Sequence, residues 1–140
     1  MDLYILRHAV AASREDAHYP HDSERPLTAK GTAKLRRVVR GMKALGLSFD
    51  LILTSPFLRA RETAEIVAKE MGAARLERTP HLAPDGDLRA LMAEIGSRGV
   101  ASVLLVGHEP TLSQLISVLI SGDERAAALF LNFCRDGTGA

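Results

Sequence analysis

Two histidines and two arginines stand where short apolar runs of this chain give way to polar sequence. Leu3-Tyr4-Ile5-Leu6 ends at Arg7-His8, Asp50-Leu51-Ile52-Leu53-Thr54 runs into Ser55-Pro56-Phe57-Leu58-Arg59, and Ser102-Val103-Leu104-Leu105-Val106 stops at Gly107-His108. A guanidinium is always charged and presents a planar fork of donors, which suits the oxygens of a tetrahedral anion. A neutral imidazole nitrogen is a competent nucleophile at pH 7, and a protonated one is a donor and a cation. Two of each is a set suited to a phosphoryl group.

These residues can act together only if the chain folds their strand ends onto one edge. Helical periodicity supports that arrangement. Thr28 has the type of an N-cap, Ala29 to Leu45 keep an apolar face through Leu35, Val38, Val39 and Met42, and Gly46 closes the run. Ser55-Pro56 reads as an N-cap followed by proline in the first helical position, opening a second helix to about Met71. Arg75 to Thr79 reads as a short edge strand. Leu88, Leu91, Met92 and Ile95 mark a third helix, and a fourth begins at Pro110. Alternation of near-continuous apolar strands with helices implies a three-layer α/β fold, a mostly parallel sheet with helices on both faces. Ligands of such sheets bind outside the carboxyl ends of the strands. Arg59 falls in the first turn of its helix, where side chains lean back toward the N-terminus and thus toward those ends. Helix-start N–H groups add to the attraction for an anion.

Simpler readings apply to other polar residues. Ser55-Pro56 is accounted for by helix-start chemistry and Thr63 by packing within its helix, so neither receives a catalytic role. His18, His21 and His81 lack ligand spacing, and no metal or cofactor is expected. Arg36, Arg37 and Arg40 read as the solvated face of the first helix. The stretch from Val10 to Pro26 is polar and longer than most connections, as lids and binding loops are.

The bulk composition narrows the field further. The 140 residues are expected to form one domain, 1–140. Eighteen Lys and Arg against 17 Asp and Glu leave a net charge of +1, without the basic excess of a phosphate-backbone binder. Aromatic residues make up 4% with no Trp, too few for base-stacking platforms, so nucleic acid is not expected as a partner. Cys134 is the lone cysteine and has no partner for an internal disulfide. No leader pattern opens the chain and no run approaches the roughly 18 apolar residues that span a bilayer. A cytoplasmic protein without a membrane partner is the expectation.

The motifs resemble those of the histidine phosphatase superfamily: Leu3–Leu6 followed by Arg7-His8-Ala9, Ser55-Pro56-Phe57-Leu58-Arg59-Ala60-Arg61-Glu62-Thr63, and Gly107-His108-Glu109-Pro110. The likeness is closest to its short bacterial branch, the SixA-type phosphohistidine phosphatases. Arg25-Pro26-Leu27-Thr28 with Gly31 is also similar to that family's segment before the first helix. The resemblance spans nearly the whole chain to about Gly122 and implies a phosphoglycerate-mutase-like fold. Leu129 to Phe133 alone could supply the further strand with which members finish, so the last edge of the sheet is expected to be short or missing. The resemblance also implies His8 as nucleophile, Arg7 and Arg59 as phosphate clamps, and protonated His108 as the second pocket histidine. Ala9 replaces the superfamily's usual glycine, and its methyl is expected to crowd the loop slightly.

The implied activity is hydrolysis, without a metal, of phosphohistidine in a signalling or carrier protein through a phosphorylated His8. Small phosphorylated substrates are the alternative within the same chemistry, and a noncatalytic phospholigand-binding module is the alternative outside it. Superfamily members acting on alcohol esters carry a carboxylic acid ahead of the last catalytic strand. Asp85 and Asp87 are the candidates here, although a turn and a helix cap explain them better.

Overall fold

The computed structural model describes residues 1–72 and 75–121. Four strands, β1 (Asp2–Arg7), β2 (Leu51–Thr54), β3 (Leu76–Arg78) and β4 (Ser102–Gly107), form one parallel sheet in the order β1-β4-β2-β3. The helices are α1 (Ala29–Ala44), α2 (Leu58–Met71), α3 (Leu88–Ser97) and α4 (Thr111–Ser121).

The apolar continuity of β2 and β4 has a direct cause: both faces of each are covered. Leu104, Val106 and Ile52 point to one side, where Leu35 and Val39 of α1 meet Ala60, Ala64 and Val67 of α2. Val103, Leu105, Leu51 and Leu53 point to the other, against Leu91 and Ile95 of α3 and Leu112 and Leu115 of α4. Every residue of β4 is buried, whereas β1, at the sheet edge, is only half-buried along its middle. Each fully buried Leu or Val contributes about 1.5–3 kcal/mol relative to exposure, which makes β4 the element that anchors the site. β1 and β4 pair along their whole lengths, so Arg7 lies opposite Gly107 and His8 beside His108.

Thr28 caps α1 as its type predicts, its Oγ1 accepting from the Gly31 N–H at 2.9 Å. The segment from Val10 to Pro26 is tied at its base by Thr28 N–H to Val10 O at 3.0 Å and Ala12 N–H to Pro26 O at 2.9 Å, and carries a 3-10 turn at Asp22–Glu24. A Cβ at position 31 would overlap the Val10 carbonyl, so glycine lets this segment lie against α1. One element differs from expectation. α2 starts at Leu58 after an N-cap, Phe57, whose side chain caps nothing, and Ser55-Pro56 lies outside the helix. Ser55 Oγ accepts from the Phe57 N–H at 3.1 Å and also meets His108, a partner from a distant strand that draws it out of a capping position.

The expected strand at Leu129–Phe133 and Cys134 lie outside the described residues. Among those described, no helix is long and apolar enough to cross a membrane.

Candidate active site

The carboxyl ends of β1 and β4 and the start of α2 open into a cleft of about 330 Å³, and Arg7, His8, Arg59 and His108 all line it. The four residues singled out from the sequence are thus brought together. The His8 and His108 ring centroids are 5.1 Å apart.

His8 is held in a defined tautomer. Its main-chain N–H donates to Gly107 O at 3.0 Å, and its Nδ1 lies 2.7 Å from Ala9 O. A carbonyl only accepts, so Nδ1 carries the proton and the lone pair resides on Nε2. The next peptide is fixed as well: Ala9 N–H donates to Thr63 Oγ1 at 3.0 Å, and that hydroxyl donates to Arg59 O at 2.7 Å. Thr63 therefore ties the backbone after His8 to the helix that carries Arg59, a role beyond the helix packing read from the sequence. Ala9 sits in ordinary backbone, since no non-glycine residue described has a positive φ. The glycine common at this position is not required here, and the expected crowding by the methyl is replaced by packing against the α1–α2 core.

His108 is buried, and its Nε2 lies 2.8 Å from Ser55 Oγ, while Nδ1 has no partner. Phe57 meets its ring edge-on at 5.4 Å, and the Arg59 guanidinium lies 5.2 Å from the centre of the Phe57 ring. Arg59 is almost fully buried. Its Nη1 donates to Asp22 O at 2.7 Å and its Nη2 to Asp22 Oδ2 at 3.1 Å, leaving Nε without a partner. The other carboxylate oxygen of Asp22 accepts from Arg25, with Nη2 at 2.7 Å and Nε at 2.9 Å. Arg25 Nη1 binds Ala12 O at 2.6 Å. Arg7 is exposed, and its side chain has no hydrogen bond or ion pair among the described residues.

These contacts set the charges. Burial lowers the His8 pKa to about 4, and Arg59, Arg7 and Arg25 push the same way against the opposing effect of the Ala9 carbonyl. Burial, followed by Arg59 and His8, takes His108 to about 3, with Asp22 opposing. At these values both imidazoles are neutral at pH 7, because burial among cations disfavours the second proton. Burial raises the Asp22 carboxyl, but Arg25 and Arg59 outweigh it and hold it below the ordinary carboxylate range. Arg59 is lowered by burial and supported by Asp22, and a guanidinium so placed remains charged.

Asp87 caps α3, its Oδ1 accepting from Ala90 N–H at 3.1 Å, and Asp85 is exposed in the preceding turn. Neither lines the cleft. The carboxylates that do are Asp22 and Glu109, and Glu109 Oε2 is engaged by Ser113 Oγ at 2.6 Å and Ser113 N–H at 3.3 Å. Asp22, Ser55 and Thr63 were not legible as site residues. The proximity of Asp22 to Arg25 in the polar segment was the one available hint, and Ser55 and Thr63 carried local explanations that were sufficient by themselves. Among the described residues there is no group of three or more His, Cys, Asp or Glu that could hold a metal ion.

A parallel α/β sheet with an Arg-His pair ending one strand, a second histidine ending its neighbour and a helix-borne arginine between them defines a phosphoryl-handling enzyme. Residues 3–83 match the histidine phosphatase superfamily (branch 1), and the chain belongs to that superfamily as a phosphatase. It is 35% identical over 127 residues to the phosphohistidine phosphatase SixA of Escherichia coli, covering 88% of this chain and 76% of that protein. An uncharacterized protein of Picosynechococcus sp. is 43% identical over 129 residues, covering 87% of this chain and 74% of its own. The solved structure of the protein histidine phosphatase SixA complexed with tungstate superposes with a TM-score of 0.80 at 35% identity, over 88% of this chain and 79% of the other.

Proposed function

We propose that this phosphatase hydrolyses phosphohistidine in a signalling or carrier protein, in two steps through a phosphorylated His8. The observation that carries the reading is the bond from His8 Nδ1 to Ala9 O, which leaves an unprotonated Nε2 at the cation-lined cleft. The relatives that bear the name phosphohistidine phosphatase support the choice of substrate.

In the first step His8 Nε2 forms a bond to phosphorus as the bond to the departing imidazole nitrogen breaks. Arg7, Arg59 and Nδ1–H of His108 hold the oxygens, and the start of α2 adds its dipole. Ser55 donates to His108 Nε2 in this scheme and so fixes the proton on Nδ1. The proton on His8 Nδ1 stays with Ala9 O throughout. In the second step water adds to phosphorus, the Nε2–P bond breaks, both water protons leave with the product as dihydrogen phosphate, and His8 departs as a neutral imidazole, so the hydrogen bond that orients the nucleophile also makes it a good leaving group. The arginines supply the positive charge for which other phosphatases use metal ions.

Rapid quench of the enzyme with a phosphohistidine protein, followed by peptide mapping, tests the scheme. An acid-labile, base-stable phosphate on the His8 peptide is expected. Label on another residue, or full turnover by His8→Ala, overturns it.

A further inference from the structure

A second opening adjoins the cleft. An apolar groove of about 230 Å³ runs from Arg7, His8, Ala9 and Val10, which it shares with the cleft, along Leu6 and onto Gly31, Lys34, Leu35 and Val38 of α1. Val10 and Val38, which both line this groove, are 50% and 44% exposed. No carboxylate lines the groove.

α1 adds a charge of one sign. It carries Lys30, Lys34, Arg36, Arg37, Arg40 and Lys43, all exposed, and no acidic residue. Helical spacing separates these into two edges. Lys30, Lys34 and Arg37 follow at i, i+4 and i+7 on the edge where Lys34 and Val38 border the groove. Arg36, Arg40 and Lys43 fall on the other edge, and Lys43 reaches Glu70 of α2 at 4.0 Å. Away from the groove the cleft is bordered by Glu109 and by Pro84, the neighbour of exposed Asp85. The surroundings of His8 therefore differ from side to side: an apolar and basic side along α1, Arg14, Asp22 and Arg25 on the segment before it, and Glu109 with Pro84 away from the groove.

A phosphohistidine can reach His8 only if the protein surface around it lies against one of these sides. We infer that the groove and the Lys30–Lys34–Arg37 edge of α1 form the docking surface for the protein substrate, and that this partner presents an apolar ridge flanked by carboxylates beside its phosphorylated histidine. The inference rests on the phosphohistidine reading and names the kind of protein that delivers the group. Apolar contact in the groove supplies burial, and the basic edge orients the partner and speeds encounter, a contribution that weakens as salt shortens the screening length to about 8 Å.

The test compares kcat/KM on an acidic helical protein phosphorylated on a surface histidine by phosphoramidate with kcat/KM on free phosphohistidine, the ratio being the readout. In the Lys30→Glu/Arg37→Glu variant the ratio is expected to fall tenfold or more at low salt, and the salt dependence of the wild type to flatten. Val38→Asp, which places a carboxylate in the groove, is expected to lower the ratio likewise, with circular dichroism reporting the fold of each variant. Arg36→Glu/Arg40→Glu, on the other edge, is expected to leave it within twofold. An unchanged ratio in the first variant, or an equal fall in the last, overturns the docking surface while the phosphohistidine reading stands. Loss of phosphatidylserine-vesicle binding in the first variant, with the ratio unchanged, reassigns the edge to a lipid surface. A wild type that cleaves alkyl phosphate esters and neither phosphohistidine substrate overturns the underlying reading and the docking surface with it.

Discussion

Asp22 and Arg59 lie 37 positions apart in sequence and meet twice, through the Asp22 carbonyl at 2.7 Å and its carboxylate at 3.1 Å. An aspartate thus occupies two donors of the guanidinium that, in the proposed reaction, holds phosphoryl oxygens. An incoming oxyanion must compete with Asp22 for them and is repelled by its charge at short range. Asp22→Asn keeps the main-chain contact and an acceptor oxygen but removes the charge. Inorganic phosphate is expected to inhibit this variant more strongly than the wild type, on the order of tenfold. Weaker inhibition would show instead that the carboxylate serves chiefly to hold Arg59 in place.

The pKa values of the two histidines make both activity and stability depend on pH in a stated direction. With His8 at about 4, the acidic limb of kcat/KM for the free enzyme is expected near pH 4 rather than near the ordinary histidine value of 6.5. The same groups bind a proton more readily in the unfolded chain. Their contribution to stability is complete above about pH 6.5 and is lost as pH falls toward their folded values of about 4 and about 3. Urea midpoints measured from pH 7.5 down to 4.5 should decline below 6.5. A flat series in that window would contradict neutral buried imidazoles.

Ser55→Ala removes the partner of His108 Nε2 and leaves a buried imidazole with no hydrogen bond at either nitrogen. A loss of about 1–3 kcal/mol in stability is expected from the unpaired group. If Ser55 fixes the proton on Nδ1, kcat should fall more than tenfold while Ser55→Thr, which keeps a hydroxyl, restores most of it. Equal kcat in the alanine variant would show that the hydroxyl orients nothing that the reaction uses.

Leaving-group chemistry sets the expected selectivity. Protonated imidazole has an ordinary pKa near ~6.5, so imidazole departs far more readily than an alkoxide. An alcohol ester needs a proton delivered as its bond breaks, help worth typically ~10²–10⁴-fold. The two carboxylates that line the cleft are held by Arg25 and Arg59 in one case and by Ser113 in the other. Phosphohistidine protein is therefore expected to exceed a simple alkyl phosphate in kcat/KM by on the order of 10² or more. Asp85→Asn and Asp87→Asn should change the phosphohistidine rate only modestly, beyond the weaker α3 cap of the second. Equal efficiency on alkyl esters that collapses in either variant would reveal a working acid in that turn.

Activity is expected to survive exhaustive dialysis against a chelator, because the positive charge at the cleft comes from Arg7, Arg14, Arg25 and Arg59. Loss on chelation with recovery on adding zinc or magnesium would place a metal in the reaction.

Sequence by itself determined the scaffold and which four side chains gather at one edge. Apolar runs covered on both faces leave little freedom but a parallel sheet, and in such a sheet the strand ends must converge, so Arg7, His8 and His108 could be placed by local pattern alone. Arg59 followed from the backward lean of side chains in a helix's first turn. The tertiary structure decided what those groups touch. Asp22 lies in a segment without periodicity, and only folding of that segment over the cleft sets its carboxylate between Arg25 and Arg59. Ser55 suited a helix cap on local grounds until the histidine that follows β4 came within 2.8 Å of it, and Thr63 suited a helix interior until the Ala9 N–H required an acceptor. The protonation of His108 turned on the same distinction: charge depends on burial and on neighbours distant in sequence, and neither quantity exists before the chain has folded.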